Sequence, residues 1–298
     1  MNEVAKIRPL TRIQREKQDV ILEAALDVFS LHGFRGATID QIAEAAGMSK
    51  PNLLYYFPKK DEIHKRLISQ LLDMWLAPLR EMDAGGDPIP EIRSYIRRKL
   101  EMARDFPRES RLFANEMLQG APATIDQIAE AAGMSKPNLL YYFARKEEIH
   151  RRLLTSMLET WLAPLREMDE DGDPIPELRS YIRRKLEMAR DFPRESRLFA
   201  NEMLQGAPHA VDVLEGELKT LVDEKAQIIL KWMDAGKINR TDPYHLIFSI
   251  WATTQHYADF DVQVRAVLGP DRGGEGRFED AARYLEHLFM DGLRPKPG

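Results

Sequence analysis

The chain is 298 residues long, 44% apolar and 31% charged, with a formal net charge of −5 and no cysteine. A packed core is therefore expected, and a disulfide scaffold, a thiolate zinc site, an iron–sulfur cluster and a cysteine nucleophile are excluded. The charge argues against a protein that coats nucleic acid indiscriminately, yet Lys6, Arg8, Arg12, Arg15 and Lys17 stand against only Glu3 and Glu16 at the start, a local basic surface. The lack of cysteine fits a reducing cytoplasm. Met1 to Val20 is too polar for a secretory signal, and no apolar run approaches the roughly 18 residues of a membrane span.

In chain order, Gln18–Leu31 carries apolar residues at 21, 22, 25, 28 and 29, a helical stripe, with Gly33 placed to cap its C-terminus. Thr38-Ile39-Asp40-Gln41 is a capping box that opens a short helix ended by Gly47. Ser49 caps a second short helix, Lys50–Phe57, with Pro51 in its first turn, where a missing N–H costs nothing. A long helix follows over about Lys60–Met82. Pro88-Ile89-Pro90 opens another that runs to Phe106, and Arg108–Gln119 makes a further one. The series then repeats from Thr124 to Gln205. The remaining sequence predicts three helices, about His209–Asp234, Pro243–Leu268 and Phe278–Asp291, with Gly269 to Gly276 as a connecting loop. Period-2 strand patterns are absent, so the fold is all-α.

The repeat is plain. Ala37–Pro122 and Ala123–Pro208 are consecutive blocks of 86 residues that differ at 13 positions, all between Pro58 and Ile92 and their partners. A solenoid would show a shorter period and more units. A tandem duplication inside a pre-existing protein fits better, and four segments follow. Residues 1–57 form an intact helix-turn-helix unit and 58–122 a first copy of the core helices, an insertion. Residues 123–145 form a second helix-turn-helix without a preceding helix, and 146–298 a ligand-binding and dimerisation domain. The unsupported second copy is expected to be loosened, because Leu139 and Phe143 lack the helix that Leu53 and Phe57 pack against.

A helix, a tight turn at Gly47 and a second short helix make a DNA-reading signature when a third helix supports them. Here Ile42, Ala43, Ala46, Leu53 and Phe57 would pack on Ile21, Leu22, Ala25 and Phe29. Lys50, Pro51, Asn52, Tyr55 and Tyr56 would then face outward on a helix small enough for the major groove. Thr38 through Ser49, Leu53-Leu54-Tyr55-Tyr56-Phe57 and Lys60-Asp61-Glu62 resemble the N-terminal DNA-binding domain of TetR-family repressors. Trp75-Leu76-Ala77-Pro78-Leu79, Gly120-Ala121-Pro122 and Gln255-His256-Tyr257-Ala258-Asp259-Phe260 resemble the members that control pyrimidine utilisation. The resemblance implies a homodimer joined through its last two long helices, double-stranded operator DNA as partner, and a small effector in the C-terminal domain. It places Lys50, Pro51, Asn52 and Tyr55 towards bases, Tyr56 and Lys60 towards phosphates, and Thr38 on the same surface.

For the effector, Tyr244, Phe248, Trp251 and Gln255 share one face of the penultimate helix. An aromatic stripe at this spacing is commonly core, but an amide on it must have its hydrogen bonds matched. A pyrimidine base, uracil or thymine, presents the complementary donors and acceptors. Trp161 is the second aromatic candidate, and Tyr181 a further one, although a tyrosine on an amphipathic helix commonly just covers the core. An enzyme is disfavoured. The histidines at 32, 64, 150, 209, 245, 256 and 287 show no metal-ligand spacing, no acid–base constellation stands out, and no cofactor motif is present. The competing reading is a degenerate helical dimerisation protein that has lost specific DNA binding.

Overall fold

A computed structural model describes residues 11–83, 85–118, 124–274 and 276–295. The described residues contain helices and turns and no strand, and none of these helices is long and apolar enough to cross a membrane. Two compact units result, Met1–Pro122 and Ala123–Gly298. Lys6, Arg8 and the Gln119-Gly120-Ala121-Pro122 junction lie outside the described residues.

The first unit holds α1 (Arg12–Gly36), α2 (Ile39–Ala45), α3 (Lys50–Tyr56), α4 (Lys60–Arg80), α5 (Pro88–Asp105) and α6 (Pro107–Leu118). Helix α1 starts earlier than the apolar stripe predicts, because Thr11 and Gln14 form a capping box of their own. Gly33, at φ +64°, breaks it where the sequence placed the cap, and a further turn runs on to Gly36. Ile21, Ala25 and Phe29 of α1 form one buried cluster with Ile42, Leu53, Phe57, Ile63 and Leu67. Helix α6 lies against the same helix: Leu112 is buried in the cluster, Arg108 donates to Glu23 and Asp27 at 2.7 Å each, and Asn115 Nδ2 donates to the Ser30 carbonyl.

The second unit holds α7 (Ile125–Ala131), α8 (Lys136–Tyr142), α9 (Lys146–Arg166), α10 (Pro174–Asp191) and α11 (Pro193–Leu204), then the unique tail. The tail differs from the expected three helices. A short helix α12 (Val211–Val213) and a π-helical turn (Leu214–Leu218) lead into α13 (Lys219–Asp234). The following segment is split into α14 (Pro243–Asp259) and α15 (Asp261–Arg272) before α16 (Arg277–Leu293). The break has no glycine or proline to announce it. Phe260 leaves helical geometry, and Asp261 turns to accept from Arg277 at 2.7 Å in a partly buried pair. Helix α15 extends through Gly269, at φ +72°, into the stretch expected to be a loop.

The two copies therefore fold alike and pack differently. Helix α10 buries Leu178, Tyr181, Ile182, Leu186 and Ala189, in packing with α14 and α16. Its near-identical counterpart α5 buries nothing. Within the first unit the copy packs against α1, and within the second unit it packs against the tail helices.

Candidate DNA-reading surface and effector site

The first reader is built from local hydrogen bonds and a shared core. Thr38 Oγ1 accepts from the Gln41 N–H at 3.2 Å while Gln41 Oε1 accepts from the Thr38 N–H at 2.8 Å. Gly47, at φ +62°, makes the turn, a left-handed conformation in which a Cβ is disfavoured. Ser49 Oγ then caps α3 by accepting from the Asn52 N–H. With Leu53 buried beneath, Lys50, Pro51, Asn52 and Tyr55 stand exposed along one short helix. Tyr56 is half-buried, packed on the α1 cluster and edge-on to Tyr55 at 5.1 Å.

Two of the lysines are engaged. Lys50 Nζ lies 2.9 Å from Asp40 Oδ2, an exposed pair worth about 0–1 kcal/mol and easily exchanged for a base or phosphate contact. Lys60, expected to face phosphate, instead donates to the Phe34 and Ala37 carbonyls at 2.7 Å each, with its ammonium 4.5 Å from the Phe34 ring centroid. It ties α4 to the end of α1. Of the basic arm, Arg12 pairs with Glu16 at 2.8 Å.

The second reader repeats the local geometry: the capping box of Thr124 and Gln127, the Ser135 cap and the Lys136–Asp126 pair at 2.9 Å. Its side chains are covered less. Ile128, Phe143 and Ile149 are half-buried where Ile42, Phe57 and Ile63 are fully buried. Leu139 is nonetheless buried, because α7 and α8 still close on each other, and the Arg152 guanidinium lies over the Phe143 ring.

The effector candidates divide. Tyr181 of α10 and Trp251 of α14 meet, with the indole N–H donating to the Tyr181 hydroxyl at 2.5 Å. Burial pushes the Tyr181 hydroxyl pKa well above its ordinary value, the bond from Trp251 opposing. Trp161 is buried in a separate apolar cluster with Leu154, Met157, Ala207 and Ala210. Between the two stands Lys185, one turn after Tyr181, with its ammonium 4.7 Å from the Trp161 ring centroid. Burial lowers its pKa to about 8, with Asp259 opposing.

On α14, Gln255 falls one turn after Trp251 and one before Asp259; it is half-buried rather than enclosed. Burial raises the Asp259 carboxyl, against the Ser196 hydroxyl that donates to it. Tyr244 and Phe248, on the same stripe, are exposed, and Tyr244 donates to Asp223 at 3.0 Å. A cleft bounded by His256, Val264, Leu268, Arg277 and Tyr284 involves none of the four predicted residues. Sequence reasoning missed Lys185, Ser196 and Asp259. A signal existed for Lys185: it sits in register with Leu178, Tyr181, Ile182 and Ala189, where an apolar residue would be expected.

A supported helix-turn-helix presents an exposed polar helix of the size that fits a DNA major groove. Residues 21–67 match the model of bacterial regulatory proteins of the tetR family, and residues 68–136 and 154–296 match that of the YcdC-like protein C-terminal region. The chain belongs to the tetR family. It is 49% identical over 172 residues to the HTH-type transcriptional regulator RutR of Escherichia coli K12, covering 58% of this chain and 81% of that protein. It is 27% identical over 140 residues to the HTH-type transcriptional regulator TcmR of Streptomyces glaucescens, covering 47% and 58% respectively. Both relatives are transcriptional regulators.

Proposed function

We propose that the chain is a homodimeric repressor, acting in the cytoplasm, that reads a palindromic operator through α3 and releases it on binding a pyrimidine base in its C-terminal unit. The observation that carries the DNA reading is the burial of Ile42, Leu53 and Phe57 against α1; Ile128 and Phe143 of the second reader are half-buried. Exposed Phe248 on α14 and Tyr284 and Leu288 on α16 support dimerisation through those helices. The pyrimidine reading rests on the sequence resemblance, the identity to RutR, and Gln255 beside Trp251, Tyr181 and the Lys185–Trp161 pair. Segments 1–57 and 146–298 carry the two activities in this reading.

Fluorescence anisotropy on the chain's own upstream DNA tests it. Lys50→Ala with Asn52→Ala abolishes specific binding, and Lys136→Ala with Asn138→Ala changes it little. Equal losses from both pairs would mean that both readers engage DNA. Uracil weakens binding of the wild type and has no effect on Gln255→Leu; calorimetry without heat in either protein would remove the effector assignment. The shift is expected to be partial, since complete switching needs roughly 5.5 kcal/mol of differential affinity. The second reading, an interaction protein, is favoured by the uncovered apolar face of α5, and weak, salt-sensitive, sequence-blind DNA binding would support it.

A further inference from the structure

Three residues far apart in sequence converge in the second unit. His150 lies in the second turn of α9, Glu202 near the end of α11, and His209 just before α12. His150 Nε2 is 2.8 Å and His209 Nδ1 3.3 Å from the same oxygen, Glu202 Oε2, and ligand atoms of all three residues lie within 4.8 Å of one another. We propose that His150, Glu202 and His209 form a binding site for one divalent first-row transition-metal ion, with zinc as its representative.

The donor set suits that class. Two imidazoles and a carboxylate are borderline ligands that zinc accepts, at bond lengths near 2.0–2.2 Å, leaving a fourth position for water. The carboxylate is prepared for the role. Its Oε1 accepts from the backbone N–H of His209 at 2.6 Å, which leaves Oε2 facing both rings. The Glu202 side chain is 2% exposed while both histidines are 27% exposed, so the site has a closed floor and an open mouth. The turn that delivers His209 is held in an unusual backbone. Gly206 is at φ +85° and Ala207, with a Cβ, at φ +56°, a strained conformation that tends to persist where function requires it.

The first copy is an internal control. His64 Nε2 again meets a glutamate, Glu116, at 3.2 Å, but the position equivalent to His209 is Ala123. The α1 aromatics cover the histidine instead, with Phe29 and Phe34 centroids 5.3 and 4.5 Å from its ring. Helix α4 is thus anchored by packing on α1. Within the second unit, a metal bridging His150 to Glu202 and His209 would fasten the first turns of α9 to the α11–α12 turn.

The test is titration of the metal-free, full-length protein with Co²⁺ and Zn²⁺. The expected result is one ion per chain by calorimetry, with the visible absorption of four-coordinate cobalt that zinc removes. His209→Ala installs the residue the first copy carries and is expected to lose the cobalt spectrum while keeping wild-type helicity by circular dichroism; His64→Ala is expected to keep it. Glu202→Gln, the same size, is also expected to lose the spectrum. No ion in the wild type, two ions per chain, or a spectrum unchanged in His209→Ala would each overturn the proposal.

Discussion

Leu186 and Leu100 occupy equivalent places in two near-identical helices, yet Leu186 is 2% exposed and Leu100 is 67% exposed. The difference lies entirely in what covers them. Leu186→Ala should destabilise the second unit by about 2–5 kcal/mol, the usual cost of a cavity in a packed core. Leu100→Ala should stay within about 0.5 kcal/mol. Urea melts of the two variants, followed by circular dichroism, read both values, and similar losses would mean that α5 is covered in solution.

The mirror pair lies one helix earlier. Leu67 of α4 is 5% exposed beneath α1, and its counterpart Leu153 of α9 is 53% exposed. Leu67→Ala should therefore destabilise the first unit by about 2–5 kcal/mol, against under about 0.5 kcal/mol for Leu153→Ala. The Leu67 variant should also weaken specific operator binding, because the same cluster holds α3. Melts and anisotropy on both variants check the ranking.

Lys185 makes stability depend on pH in a defined direction. Its pKa in the folded chain, about 8, lies below that of an unfolded lysine, so the unfolded state binds more protons between the two values. Stability contributed by this group is lowest below about pH 8 and rises as pH increases towards the unfolded value. Lys185→Met should gain stability at pH 7, by up to about 3 kcal/mol from the pKa difference alone. It should also flatten the rise between pH 7 and 9.5, a window that stays below tyrosine titration. Denaturant midpoints across that range decide it; an equal slope in wild type and variant would contradict the assignment.

The Trp251–Tyr181 hydrogen bond should show strong coupling. Trp251→Phe leaves a buried hydroxyl without its donor, and Tyr181→Phe leaves the indole N–H without its acceptor, each costing about 1–3 kcal/mol. The double variant should cost less than the sum, because both polar groups are gone. A double-mutant cycle measured by denaturant unfolding, with the uracil response read in parallel, separates folding from effector binding.

The sequence by itself determined the all-α class and the local geometry of the reader. Capping boxes, Gly47 and Ser49 are local instructions satisfied within a few residues, which is why both copies fold the reader identically. The class of protein was legible too, because Lys50, Pro51, Asn52 and Tyr55 sit on a helix whose buried side is equally legible in Leu53 and Phe57. What only the tertiary structure decided is which identical residue is core and which is surface. No local signal separates Leu186 from Leu100, since burial is a property of the partner: α14 and α16 reach α10, and α1 reaches α4. The same reason hid the break at Phe260, the lysine buried against Trp161, and the meeting of His150, Glu202 and His209. Spacing along a chain reveals ligands only when one helix or turn carries them, and these come from three.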